Sequence, residues 1–168
     1  MTWDIKPKVI IPCSILQLCI DISKLVPQKE FSIVLKSQIE PMKIIVSEDY
    51  IIPKQIVSTS SFEFKDPDEI VELVNQGYNV VIHKHPSGVN DFSATDKEYL
   101  HQMFKCSILF VNNSFKKAVY IAHDRYFGKT EIPLEIEVIH PKLDINESVV
   151  KENIEIDDAD DDMNKEYN

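Results

Sequence analysis

Gly77-Tyr78-Asn79-Val80-Val81-Ile82-His83-Lys84-His85-Pro86, followed six residues later by Ser93-Ala94-Thr95-Asp96, is the stretch that decides how this chain is built. Gly77-Tyr78-Asn79 is a turn signal and Val80-Val81-Ile82 a β-branched apolar run, so the pattern predicts a buried strand with His83 and His85 at its end. Side chains two apart on a strand share a face, so the two imidazoles project together. Pro86 has no donor for a sheet ladder and stops the strand. Ser93 reads as the N-cap of the next helix, which puts Asp96 in its first turn. Two imidazoles and a carboxylate meeting from a strand end and a helix start leave one position open on a tetrahedral Zn²⁺. That is the ligand count of a catalytic zinc site, not a structural one.

Each half alone has a simpler meaning. Paired histidines in a strand serve packing or surface roles, and Ser-x-x-Asp ahead of Lys97-Glu98-Tyr99-Leu100 fits a common helix-starting capping box. Together they spell H-x-H-P-x6-S-x-x-D. At these residues the chain resembles the JAMM metalloprotease family, the JAB/MPN domain, whose signature adds a distant upstream glutamate. The resemblance implies one Zn²⁺ per chain on His83, His85 and Asp96. It also implies a glutamate as general base and Ser93 as a hydroxyl donor to the oxyanion, beside its role as helix cap. Glu30 is the favoured glutamate, because Lys29-Glu30-Phe31-Ser32-Ile33-Val34-Leu35 follows an amphipathic helix and opens an apolar strand, where the family carries its base. Glu40, beside Pro41 in an expected hairpin turn, and Glu48, in an expected Ser47-Glu48-Asp49 turn, are the competitors and read as solvated. Lys36 stands where many family members have glycine.

Other polar residues near the motif read differently. Lys84 points away from the histidines by strand alternation, Asp91 falls outside the ligand pattern, and His101, His123 and His140 read as peripheral. Cys13, Cys19 and Cys106 lie in apolar segments and read as buried small hydrophobes in a reducing compartment, not as a disulfide framework. Cys13 and Cys19 fall on different faces of a helix and make no metal pair.

The chain has 168 residues and a formal charge of −10, enough length for one domain with a substantial core. From Asp144 to Asn168 there are ten acidic residues against Lys151 and Lys165, a net of −8, so the body carries only −2 of the total. A basic nucleic-acid footprint is absent. The expected organisation is a JAB/MPN metalloprotease domain over 1–142 and an acidic, disordered tail over 143–168. No signal-peptide pattern or membrane-length apolar run is evident, and a cytoplasmic location is expected.

Apolar spacing predicts a strand at Lys8–Ile11, a helix from Cys13 to Leu25 ended by Pro27, and β-rich runs at 31–35, 42–46 and 51–64, the last broken around Pro53. An acidic, proline-bearing helix start follows at Asp66-Pro67-Asp68-Glu69, with Gly77 as its stop. After the motif strand and helix come strands near 108–111, 118–121 and 134–139. This order predicts an α/β sandwich with a mixed β-sheet flanked by helices, and the resemblance implies the same cytidine-deaminase-like JAB/MPN fold over about residues 8 to 140.

The resemblance further implies a zinc metallopeptidase or isopeptidase. Its substrate would be the C-terminal tail of a ubiquitin-like or sulfur-carrier protein, or another small protein or peptide, laid extended beside a strand edge. Short spacing between motifs leaves no room for long insertions, which points to a compact, prokaryote-like or viral type. Two alternatives stand beside it. His85-Pro86-Ser87-Gly88 is shared with RadC-type proteins linked to DNA repair, although their helical N-terminal extension is missing and the acidic balance opposes nucleic acid. A non-catalytic MPN scaffold is the other, but silent members lose motif ligands that this chain keeps. Membrane partners are not expected, and oligomeric state is left open.

Overall fold

The computed structural model describes residues 6–141 and 144–157. Its elements run β1 (Lys8–Pro12), α1 (Cys13–Leu25), β2 (Ser32–Glu40), β3 (Lys43–Ile51), β4 (Gln55–Val57), β5 (Phe62–Phe64), α2 (Pro67–Asn75), β6 (Val80–Lys84), α3 (Ala94–Met103), β7 (Cys106–Val111), β8 (Ser114–Asp124), β9 (Gly128–Ile139) and α4 (Glu147–Asn153). Seven strands form one mixed sheet in the order β1-β3-β2-β6-β7-β8-β9. The expected flanked mixed sheet is present, but it does not stay open. β9 pairs in parallel with β1, Lys8 opposite Glu135 through Pro12 opposite Ile139, and closes the sheet into a barrel.

β6 lies at the centre, antiparallel to β2 and parallel to β7. Strand alternation divides its side chains between two cores. Val80 and Ile82 join the larger cluster with Ile15, Cys19, Ile33, Leu35, Ile108 and Phe110, which α1 covers. Val81 joins Val34, Phe64, Ile70, Leu73 and Leu100 beneath α2 and α3. His83 continues the face of Val81, so the imidazoles end on the α3 side.

The helix signals act as their chemistry dictates. Asp66 caps α2 by accepting from the amides of Asp68 and Glu69, with Pro67 in the first turn, and Gly77 follows with a φ of 102° that L side chains disfavour. α1 starts at Pro12 with no side-chain cap, so burial of Ile15 and Cys19 carries it.

Three local expectations need correction. Ser47, Glu48 and Asp49 form no turn: β3 runs through them, because Ser47 Oγ donates to the Lys36 carbonyl (3.0 Å) and Lys36 pairs with Asp49 (3.7 Å) across the strands. The ladder shifts register between Leu35 and Ser37, placing Lys36 at a bulge. The run 51–64 breaks at Pro53 as expected, but Ile51 ends β3 and the part beyond the break folds on itself as a separate β4–β5 hairpin, turned by Ser58 Oγ accepting from the Ser61 amide (3.0 Å). Cys19 and Cys106 are buried as expected, whereas Cys13 is only half-buried.

Of the expected acidic tail, residues 144–157 are described and include the short helix α4, capped by Asn146 and with no buried residue. Lys142, Leu143 and residues 158–168 lie outside the described residues. Among the described residues no helix is long and apolar enough to cross a membrane.

Candidate metal centre

Three elements deliver the site, β2, β6 and α3. Glu30 lies two residues before β2 and is anchored by its amide, which donates to the Ser58 carbonyl of the hairpin turn (2.8 Å). His83 sits in β6 opposite Ser32, and His85 follows it with its amide donating to the Phe110 carbonyl (3.0 Å). Ser93 caps α3, and Asp96 completes a reciprocal capping box. The Asp96 amide donates to Ser93 Oγ (3.1 Å), while Asp96 Oδ2 accepts from the Ser93 amide (2.8 Å). The capping box and the site are therefore one arrangement.

Glu30, His83, His85 and Asp96 are all buried. Ligand atoms of Glu30, His83 and His85 lie within 4.8 Å of one another. Asp96 stands against both imidazoles, with Oδ2 2.7 Å from His85 Nε2 and Oδ1 3.3 Å from His83 Nε2. Glu30 Oε2 is 3.6 Å from His83 Nε2. Ser93 lies at the exposed rim and lines a cavity of about 350 Å³ with Glu30, His85 and Asp96. The competitors are elsewhere: Glu40 ends β2 paired with Lys43 (3.4 Å), and Glu48 is exposed on β3.

His83 supplies the test of whether a cation fits. Its Nδ1 lies 3.2 Å from the Phe31 carbonyl and 3.0 Å from Ser32 Oγ. A carbonyl only accepts, so Nδ1 carries a proton, and Nε2 is the nitrogen turned to the site. That buried Nε2 has no hydrogen-bond partner among the described residues and faces two carboxylates. On a ring protonated only at Nδ1, that nitrogen sets a lone pair against two anions, a conflict that a cation among them removes. The donor set, imidazole nitrogens with carboxylate oxygens, suits zinc.

Burial raises the pKa of Glu30; the His83 and His85 imidazoles oppose the shift, and Asp96 adds to it. Burial also pushes Asp96 up, but the imidazoles of His83 and His85 and the Ser93 amide outweigh it and hold the carboxyl far below its usual range. For His85, burial acts downward, yet the Asp96 carboxylate prevails and raises the pKa.

Sequence reasoning missed the supports. Ser32 and Phe31 fix the His83 ring, Phe62 packs on it with centroids 4.7 Å apart, and Gln55 ties both backbone groups of Ser32 (2.8 Å each). Ser32 lies two residues beyond Glu30 in an alternating segment, a usable signal only once β2 is known to pair with β6. His101, expected to be peripheral, is fully buried against Phe92, with Nδ1 2.6 Å from Glu131. His123 and His140 are exposed.

The cluster fits the JAMM pattern at every fixed position. No family model matches the chain, and no curated protein matches it. Among solved structures it is similar to a JAB1/MPN domain protein from Archaeoglobus fulgidus, at 16% identity over 80% of this chain and 98% of that chain, with a TM-score of 0.43. At that distance, the functional reading rests on the site's own geometry.

Proposed function

We propose that this chain is a JAMM-type zinc metallopeptidase, cleaving a peptide or isopeptide bond at the C-terminal tail of a ubiquitin-like or sulfur-carrier protein. The supporting observation is the buried convergence of Glu30, His83 and His85, with Asp96 against both imidazoles, beside an open cavity. His83, His85 and Asp96 would hold the ion, the first two through Nε2. When bound, zinc supplies Lewis acidity, polarising a carbonyl and bringing the pKa of water from ~15.7 to about 7.

The remaining chemistry belongs to the chain. Glu30, at the edge of the cavity, takes the proton of the attacking water on its carboxylate and returns it to the departing amine. General acid–base assistance of this kind is worth roughly 10²–10⁴-fold. Ser93 Oγ accepts from the Asp96 amide, which leaves its O–H free to donate to the developing oxyanion. Removing one such donor typically costs about 2.7–4 kcal/mol.

Closure of the barrel changes how a substrate tail would be held. The seven-stranded sheet offers no free edge at its ends, so strand addition falls to the β4–β5 hairpin. Ser60, Ser61 and Phe62 of that hairpin line the cavity.

Elemental analysis tests the reading first: purified protein should carry about one zinc per chain, lost in His83→Ala and Asp96→Ala. A panel of ubiquitin-like fusions then addresses the substrate. Wild-type protein without stoichiometric metal, or with zinc unchanged in both variants, would sink the proposal.

A further inference from the structure

A second cavity, about 430 Å³, adjoins the first and shares His85 and Pro86 with it as walls. The two differ in charge. The first holds the carboxylates Glu30 and Asp96. The second is lined by Lys29 and Lys84 and by Gln28, Ser87, Asn112 and Asn113, with no carboxylate among its lining residues.

Strand alternation produces this split. Lys84 lies between His83 and His85 and so projects to the opposite face of β6. Its Nζ sits 5.7 Å from the centroid of the Phe31 ring. In the irregular segment before β2, Lys29 lines this second cavity while its neighbour Glu30 lines the first. Both lysines are half-buried, and neither has a carboxylate partner among the described residues. Charged groups withdrawn from water are normally paired, and here two like charges face one space. An anion entering it is attracted by both. The amide and hydroxyl groups around it add uncharged hydrogen-bond donors.

We infer that the Lys29/Lys84 cavity is an anion-selective subsite that receives a carboxylate of the substrate peptide. This deepens the peptidase reading and rests on it for the peptide's placement. A chain crossing above His85 enters carboxylate-lined space on one side and ammonium-lined space on the other. The two cavities share His85 and Pro86 as walls, so the recognised carboxylate lies close in sequence to the bond positioned over the metal centre. It is either an acidic side chain or the peptide's own C-terminal carboxylate. The chemistry is the same, and the substrate preference follows: cleavage next to an acidic position or close to a free C-terminus, with lysine disfavoured there.

The test measures binding, not turnover. Fluorescein-labelled, glycine-rich hexapeptides carry Glu, Gln or Lys at a single position, and each ends as a free acid or an amide. Their affinities for the full chain are read by anisotropy, both zinc-loaded and metal-stripped. The peptide bearing a carboxylate should bind about tenfold tighter than its neutral match, the low end of what a hydrogen bond to a charged group contributes. The preference should survive metal removal and shrink in about 0.5 M salt. It should vanish in Lys84→Met and Lys29→Met and persist in Lys84→Arg and in Lys43→Met, a lysine outside the cavity. Preference following the Glu/Gln pair identifies the side chain as the source, and preference following the acid/amide pair identifies the terminus. Equal binding of every charged and neutral match overturns the inference, as does a preference that disappears with the metal while persisting in both methionine variants. Failure to find zinc or hydrolysis removes the peptidase reading and leaves the anion preference measurable. Hydrolysis without any anion preference does the reverse.

Discussion

Ser32→Ala probes the metal centre without touching a proposed ligand. Ser32 Oγ is fully buried and lies 3.0 Å from His83 Nδ1; the Phe31 carbonyl lies 3.2 Å from the same nitrogen. Deleting the hydroxyl removes one of two supports. The Phe31 carbonyl still holds the Nδ1 proton, so the tautomer is kept and only ring orientation loosens. Groups that orient a metal ligand are typically worth 10–100-fold in metal affinity. With one of two supports left, the loss should be about tenfold, or about 1.4 kcal/mol. The backbone should stay in place, because Gln55 binds both the amide and the carbonyl of Ser32. Metal-free stability should fall by about 1 kcal/mol, the usual size of a neutral hydrogen bond. Competition against a chromophoric chelator measures the first quantity and denaturant melts measure the second. Ser107→Ala is the control: that hydroxyl is equally buried but has no partner among the described residues, so its removal should be neutral or stabilising. Zinc affinity in Ser32→Ala within about twofold of wild type would refute the claim that this contact orients the ligand.

Glu30→Gln should keep zinc and lose at least about 100-fold in peptide turnover, while Glu40→Gln and Glu48→Gln remain active; steady-state kinetics with metal analysis decides, and the opposite pattern reassigns the base. His101 has its pKa lowered by burial, with Glu131 opposing. The unfolded chain therefore takes up the proton first, and this residue's contribution to stability is present above about pH 6.5 and declines below it toward the folded pKa, by at most about 1.4 kcal/mol per pH unit. An NMR titration of the imidazole should give a midpoint below the ordinary histidine value, and His101→Asn should flatten the acid limb of the stability profile; a midpoint above that value contradicts the sign. Deleting residues 144–168 removes a charge of −8, yet α4 has no buried residue, so melting temperature, zinc content and turnover of a small peptide should match the full chain at low and high salt; a several-fold change in activity would show a docked tail.

What could be read from sequence depended on how local the cause was. His83, His85, Ser93 and Asp96 sit within one strand–loop–helix unit, where alternation and capping rules fix direction without knowledge of the rest of the fold. Glu30 needed the resemblance, since its approach to His83 arises from β2 pairing with β6. Ser32 was hidden for the same reason: Ser32 opposite His83 is a register, which alternation alone does not specify. The polar run Ser47-Glu48-Asp49 imitated a turn because its partners, Lys36 on the neighbouring strand and Tyr78 ahead of β6, are distant in sequence. His101 looked peripheral because its partner Glu131 lies on β9, thirty residues on. Barrel closure needed the parallel β1–β9 pair, which joins the two ends of the domain.

That pairing has a consequence for synthesis. A chain leaving the ribosome N-terminus first exposes β1 long before residues 135–139 exist to pair with it. Until β9 arrives, β1 and β8 each present an unpaired row of amides and carbonyls, and only the last strand of the barrel removes both at once. Contacts this far apart in sequence form late because loop closure precedes their reward. Nascent chains and C-terminal truncations that end before Ile139 are therefore the species at risk of edge-to-edge aggregation, and a chaperone bound to β1 would have to hold it until translation has passed β9.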